Sequence, residues 1–212
     1  MKIIEIRLLT NDLSQTILFY TQTLGFKISH QTSTSISLHA GSSLLTFTAN
    51  NTLPSPIYHF AFNIPHNQLP EAISWLSNKA ALLPVTAESN IAEFKNWNAN
   101  AVYFTDNNGN LLELIARHDL PNSSDSPFTI AAIECISEIG IAVDNVPDYT
   151  SKLGLEYFAK QAPMEKFAAI GDDNGLLIFA EVNRNWFPTN IPAAKFPLEV
   201  IYENGQLIIP AQ

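Results

Sequence analysis

A sequence repeat that occurs three times is the strongest indication of how this chain folds. Each copy contains a short apolar segment: LLTF at 44–47, LLEL at 111–114 and LLIF at 176–179. The second and third segments follow the turns DNNG at 106–109 and DDNG at 172–175. Asn and Gly supply the positive φ angles that tight hairpins need. The sequence therefore predicts a fold assembled from repeated supersecondary units.

The spacing of apolar residues predicts the same order of elements, strand, helix and further strands, in each copy. In the first copy, Asp12 offers an N-cap and Gly25 a helix stop. We predict an α+β protein of tandem βαβββ modules, with a first module at 1–50 and a second at 56–117. The polar segment 118–130 is interpreted as a linker. A shorter third module, 131–212, ends in a C-terminal hairpin.

Charge and cysteine content narrow the function classes. The 212 residues carry a formal net charge of −9, and 46% of them are hydrophobic. The acidic balance argues against nucleic acid and membrane partners and leaves a small molecule as the expected ligand. The single cysteine, Cys135, excludes an intrachain disulfide and is predicted to be a buried, inert thiol. No secretion signal or membrane span is recognised, so we expect a cytoplasmic protein.

Two stretches of the sequence resemble a known family. The segments FTD at 104–106 and NLLELI at 110–115, with TNDL at 10–13, FYT at 19–21 and LGF at 24–26, are similar to motifs of the vicinal oxygen chelate superfamily. That superfamily includes glyoxalase I, extradiol ring-cleaving dioxygenases, fosfomycin-resistance enzymes and bleomycin-resistance proteins. The resemblance implies that modules 1–50 and 56–117 pair their sheets into an open eight-stranded cup, with the third partial module beside it.

The resemblance also implies a metal site inside the cup. Carried over by position, the family's ligands fall on Glu5, Thr46, His59 and Glu113. A threonine is a poor ligand, so the implied set is Glu5, His59 and Glu113. One imidazole and two carboxylates suit a divalent cation, with Mn, Fe or Zn favoured over Cu.

Other interpretations of these residues remain open. His59 and Glu113 could form a buried hydrogen-bonded pair without a metal. Glu5 is as readily explained by a salt bridge to Arg7 on the same strand face. Glu138 occupies the corresponding position of the third module, but its counterpart on the last strand is apolar. We therefore interpret Glu138 as a hydrogen-bonded interface residue.

The predicted function is that of a metal-dependent enzyme of the lyase or ring-cleaving dioxygenase type, acting on a small oxygenated or aromatic molecule. Residues Arg7, Trp97, Asn98 and Tyr103 are the substrate-binding candidates. The alternative is a metal-free small-molecule binding protein of the bleomycin-resistance type. Exposed sheet edges also make a homodimer a possibility that the sequence leaves open.

Overall fold

The computed structural model describes residues 1–210, and its elements follow the predicted repeat. The first module contains β1 (Ile3–Thr10), α1 (Leu13–Leu18) with a π-helical turn (Phe19–Leu24), β2 (Lys27–Gln31), β3 (Ser35–Ala40) and β4 (Ser43–Ala49). The second contains β5 (His59–Ile64), α2 (Leu69–Ser77), β6 (Ile91–Phe94), β7 (Ala99–Thr105) and β8 (Leu111–Arg117). The third contains β9 (Cys135–Val143), α3 (Val146–Thr150), β10 (Phe167–Asp172) and β11 (Gly175–Glu181). The tail forms β12 (Leu198–Tyr202) and β13 (Gly205–Ile209).

Local signals in the sequence set several of these boundaries. The Asp12 side chain accepts a hydrogen bond from the backbone N–H of Gln15 at 2.9 Å and so caps α1. Gly25 ends the π-helical turn with a φ of 93°, and Gly109 has a φ of 81° in the turn before β8. The Tyr20 hydroxyl donates to the Asp106 carboxylate at 2.8 Å, so the first helix is also tied to that turn.

Thirteen strands form two sheets in the described part of the chain. One sheet has six strands in the order β13-β12-β1-β4-β3-β2, and the other has seven in the order β10-β11-β9-β5-β8-β7-β6. In every module the first strand is parallel to the last. The α+β class, the repeated modules and the cup that they form are therefore confirmed.

The predicted partner of the second module was wrong. Strand β5 pairs antiparallel with β9 of the third module, so the cup that contains His59 is built by the second and third modules. Strand β1 pairs instead with β12 of the C-terminal hairpin, where Glu5 is opposite Ile201 and Arg7 is opposite Glu199. The hairpin at the end of the chain thus completes the sheet of the first module rather than that of the third. Each first strand offers a similar free edge, which is why the local sequence did not identify its partner.

The cup has seven strands rather than eight. Between α3 and β10, the third module forms only isolated bridges, Tyr157 to Ile170 and Met164 to Phe167, where a second strand would lie. This part of the cup is therefore a loop that leaves one side of its interior more open. The bounds of the modules as separate domains stay a prediction, and residues 211–212 of the third one lie outside the described part.

The alternation of side chains along β5 and β8 separates two hydrophobic cores. Phe60 and Leu112 point to the larger core, which lies between the two sheets and beneath the helices. Ala61 and Ile115 point the other way, to a smaller core inside the cup. His59 and Glu113 point to the same face of the sheet as Ala61 and Ile115, which is the inside of the cup. The prediction that Glu113 faces an interior is therefore confirmed.

Residues 118–129 contain no helix or strand and connect β8 to the third module. Asn122 fastens this segment, because its side-chain amide donates to the Glu134 carboxylate at 2.7 Å. Within residues 1–210, no helix combines the length and the apolar character needed to cross a membrane.

Candidate metal centre

Three buried side chains with metal-binding donor atoms converge on the inner face of the cup. His59 comes from β5, Glu113 from β8 and Glu138 from β9, and one donor atom of each lies within 4.8 Å of the other two. The register explains the convergence, because Ala61 of β5 is opposite both Glu113 and Glu138. His59 lies two residues before Ala61 on the same face. The small alanine side chain leaves the space between the two carboxylates free.

The imidazole of His59 has a defined orientation. Its Nδ1 lies 3.1 Å from the carbonyl oxygen of Leu111, and its Nε2 lies 3.8 Å from Oε2 of Glu113. Burial lowers the pKa of His59 to about 4, so the ring is neutral near pH 7. A neutral ring that donates from Nδ1 to a carbonyl presents the lone pair of Nε2 to the cavity. That is the tautomer a metal-binding histidine requires.

The Glu113 carboxylate lacks a full set of partners. Its Oε1 is buried and has no hydrogen bond to any residue of the described chain. Burial, and then the negative charge of Glu138, raise the pKa of Glu113 well above its usual value. Tyr103 is opposite Glu113 on β7 and keeps its proton, because burial and the charge of Glu113 raise its pKa as well. A buried carboxylate in this situation is stabilised by a proton or by a cation.

Arg117, at the end of β8, fixes the third donor. Its guanidinium is fully buried, forms an ion pair with Oε1 of Glu138 and donates to Oδ1 of Asn63 at 3.1 Å. The same group lies 3.5 Å from Asp173 and 5.6 Å from the centre of the Trp97 ring. Burial still raises the pKa of Glu138 in spite of this partner. The ion pair uses one oxygen of Glu138 and leaves Oε2 for another ligand.

The donor set fits a divalent cation. The neutral Nε2 of His59 lies 3.8 Å from Oε2 of Glu113, and Oε1 of the same buried carboxylate has no hydrogen bond within the described chain, so a cation bound here would supply both groups with a partner. The positive charge of Arg117 balances the carboxylate of Glu138. The two carboxylates of the cluster are therefore enough acidic ligands for a divalent cation. Nitrogen and carboxylate donors together suit Mn, Fe or Zn.

The three donors lie at the bottom of a cavity of about 510 Å³. Its walls are largely aromatic and include Phe94, Trp97, Tyr103, Trp186 and Phe187. The Trp186 ring lies 5.3 Å from the His59 ring, centre to centre. This approach depends on Gly140, because a Cβ atom there would lie 2.8 Å from the Trp186 ring and 3.1 Å from Cβ of His59. A cavity of this size and composition is typical of small-molecule sites.

The structure brings together two of the three predicted ligands. His59 and Glu113 lie together in this cluster, whereas Glu5 lies in the other sheet and does not meet them. The Glu5 carboxylate accepts hydrogen bonds from Thr46 at 2.6 Å and from Arg7 at 2.9 Å. The salt bridge that the sequence left open for Glu5 is thus the observed one.

The substrate-binding candidates divide in the same way. Trp97 and Tyr103 line the cavity, and their role in substrate binding stays a prediction. Arg7 does not, because it lies on β1 and pairs with Glu5 and Glu199. Asn98 does not either, because it follows Trp97 in a left-handed conformation and its amide donates to Asp119 at 2.7 Å. The structure therefore does not bring Arg7 and Asn98 to this cavity.

Sequence reasoning interpreted Glu138 as a hydrogen-bonded interface residue, which its ion pair with Arg117 of the second module confirms, but it did not place Glu138 beside His59 and Glu113. Glu138 occupies the position equivalent to His59 in the repeat, and that equivalence was the available signal. It was discounted because Ile178, the counterpart of Glu113, is not a ligand. Arg117 gave no signal, since an arginine at a strand end is usually solvated.

Comparisons with known proteins agree with the fold. The sequence model of the glyoxalase/bleomycin resistance protein/dioxygenase superfamily matches residues 2–114, which is more than half of the chain. No curated protein matches the sequence. A candidate dioxygenase from Bacillus subtilis is similar in structure, with 17% sequence identity, a TM-score of 0.62 and coverage of 98% of this chain and 66% of that one.

A variant of glyoxalase I from Zea mays is also similar, with 19% identity, a TM-score of 0.54 and coverage of 85% of this chain and 68% of that one. This chain thus spans about two thirds of the length of both proteins. At such low identity these structures support the fold alone. Together with the matching family model, the repeated βαβββ modules lead to one conclusion: the chain belongs to the glyoxalase/bleomycin resistance protein/dioxygenase superfamily.

Proposed function

We propose that this protein is a divalent-metal-dependent enzyme of the lyase or ring-cleaving dioxygenase type, which acts on a small oxygenated or aromatic molecule. The observation that carries the proposal is the meeting of His59, Glu113 and Glu138 at the bottom of an aromatic cavity, with Oε1 of Glu113 left without a partner. Perturbed buried groups in the main cavity of a protein favour a functional role over a purely structural one.

Each residue has a part in this proposal. Nε2 of His59, the Glu113 carboxylate and Oε2 of Glu138 would hold the cation, and Arg117 would keep Glu138 in place. When bound, the cation supplies Lewis-acid chemistry for a substrate with two adjacent oxygens. Trp97 and Trp186 would line the sides of the substrate site. Tyr103, protonated and beside Glu113, can donate a hydrogen bond to a substrate oxygen.

Metal content tests the proposal directly. Protein purified without added metal, and protein dialysed against Mn, Fe or Zn, should contain about one equivalent by elemental analysis. The Glu113→Gln and His59→Ala variants should contain much less. Glu93→Gln is the matched control, because Glu93 lines the same cavity but is exposed at its rim and is not among the three donors. If Glu93→Gln retains the metal, the loss of metal in the other two variants is due to the cluster of three donors.

A metal-free binding protein is the second candidate, and a specific feature favours it. Arg117 already neutralises Glu138, and burial favours the uncharged forms of His59 and Glu113. The cluster can therefore be stable without a cation. If the wild-type protein contains no metal under native and supplemented conditions, the enzyme proposal fails and this second function stands.

Two further expectations complete the proposal. The protein is expected in the cytoplasm, and as a homodimer its open sheet edges would be covered. Sizing by light scattering at several concentrations tests the second point. A monomer at all concentrations would contradict it.

A further inference from the structure

Within residues 1–210, one arginine of this acidic chain has no acidic partner. The chain has three arginines and a formal net charge of −9. Arg7 pairs with Glu5 and Glu199, and Arg117 pairs with Glu138. The Arg184 side chain forms neither an ion pair nor a hydrogen bond with any residue between 1 and 210. The lack of a partner is unusual in a chain with nearly twice as many acidic as basic residues.

Arg184 lies in the wall of the cavity that contains the candidate metal centre. Arg184 is half-buried and lines the same cavity as the three metal-binding candidates. Its guanidinium lies 5.0 Å from the centre of the Phe167 ring, an arrangement that holds the planar group in place. Burial lowers the pKa of Arg184, so its charged form has lost hydration that no protein anion replaces. An anionic group of a ligand would supply what is missing.

The surrounding walls indicate the rest of that ligand. Phe94 and Trp97 stack at 5.6 Å between ring centres, and Phe187 packs edge-on to Phe94 at 6.0 Å. Phe187 is about half exposed even though its ring is large and apolar, so this face of the cavity has room for a further ring. Guanidinium groups bind carboxylates through two parallel hydrogen bonds.

We infer that the ligand of this cavity is an aromatic carboxylate, whose ring lies among Phe94, Trp97 and Phe187 and whose carboxylate pairs with Arg184. This inference rests on the proposed function in one respect, since it takes this cavity as the substrate site. It makes the proposed function more specific, because it says that the small aromatic molecule carries a negatively charged group. The acidic surface of the protein alone would favour a cation, and the unpaired arginine inside the cavity reverses that expectation locally.

Two probes that differ only in charge test the inference. The compounds 3,4-dihydroxybenzoate and 3,4-dihydroxybenzamide have the same ring and the same adjacent hydroxyl groups. Titration calorimetry at neutral pH, with chelator-treated and with Mn-loaded protein, should give about tenfold or greater preference for the acid. Arg184→Met should remove most of the preference, because it should weaken binding of the acid much more than binding of the amide. Arg7→Met, which removes an arginine outside the cavity, should keep the full preference.

The outcomes separate this inference from the proposed function. Equal affinity of the wild-type protein for acid and amide, or an equal loss of both in Arg184→Met, overturns the inference. A preference that persists in metal-free protein supports it even when no metal binds and the enzyme proposal fails. The wild-type comparison needs no variant, and Arg184→Lys, which keeps the charge, serves if Arg184→Met does not fold. Retained preference for the acid in Arg184→Lys supports the inference, and its complete loss in a folded Arg184→Lys protein contradicts a charge-based role.

Discussion

Glu113 and Glu138 flank the same residue, Ala61, although they come from different modules of the chain. The parallel ladder between β5 and β8 places Glu113 opposite Ala61, and the antiparallel ladder between β5 and β9 places Glu138 opposite Ala61 from the other side. Side chains at equivalent positions in neighbouring strands point to the same face of a sheet. The candidate metal centre is thus a direct consequence of the strand pairing, and four predictions test this relationship and its surroundings.

The Glu138→Gln substitution should weaken metal binding by about tenfold or more, because it removes a charged donor from a three-residue set. Calorimetric titration of the chelator-treated protein with Mn(II) measures the effect. Glu5→Gln is the matched control, since Glu5 has the equivalent position in the first module but pairs with Arg7 and Thr46. A larger effect of Glu5→Gln than of Glu138→Gln would contradict the location of the site.

Arg117→Met should lower the free energy of unfolding by about 3 kcal/mol, because it leaves the Glu138 carboxylate buried without its counter-charge. Asp173 is less affected, since it also pairs with Lys160 at 2.6 Å. Urea denaturation of the metal-free protein measures the change. The control is Arg7→Met, which breaks exposed ion pairs and should cost at most about 1 kcal/mol. Equal losses in the two variants would argue against a buried, charge-dependent role for Arg117.

Gly140→Ala should disturb the cavity without altering any donor atom. A Cβ atom at this position would lie 2.8 Å from the Trp186 ring, so the ring must move away from His59. We expect a loss of about 1–3 kcal/mol of stability, as for other overpacked sites. The double variant Gly140→Ala/Trp186→Phe should recover part of this loss in thermal denaturation, because the smaller ring relieves the contact. No recovery would show that the close approach to Trp186 is not the cause.

Cys135 should make the protein less stable at high pH. Burial, and then the charge of Glu134, raise the pKa of this thiol from 9.0 to about 11. Between these values the unfolded chain loses the thiol proton and the folded chain keeps it, so the free energy of unfolding falls as pH rises. After allowance for partial exposure, the expected contribution is about 2 kcal/mol between pH 8.5 and pH 11.

The difference between the wild-type protein and Cys135→Ala isolates this contribution, since other groups also titrate in that range. The stability advantage of wild type over Cys135→Ala should shrink as pH rises towards 11. Slow alkylation by iodoacetamide at pH 8 would be consistent with the same raised pKa. A pH-independent difference between the two proteins would show that the thiol has an ordinary pKa in the folded state.

Local patterns along the chain specify the repeated modules and the faces of their strands, and the family resemblance indicated His59 and Glu113 as two of the candidate donors on those strands. These features depend on short-range rules. A tight turn requires Asn or Gly. The alternation of side chains along a strand places His59 on the same face as Ala61, and it places Glu113 on the face opposite to Leu112. Each rule concerns a few neighbouring residues, so a single sequence is enough to apply it.

Which module completes the cup, and with it which side chain becomes the third candidate donor, depends on contacts between distant parts of the chain. The first strands of all three modules carry an ionisable residue at the same position and offer similar edges for pairing. The choice of β9 over β1 as the partner of β5 brought Glu138 to the site and took Glu5 away from it. The ion pair of buried Arg117 with Glu138 followed from that choice, because it joins β8 to β9. Pairing between distant strands is set by the packing of the whole chain, and no local pattern encodes it.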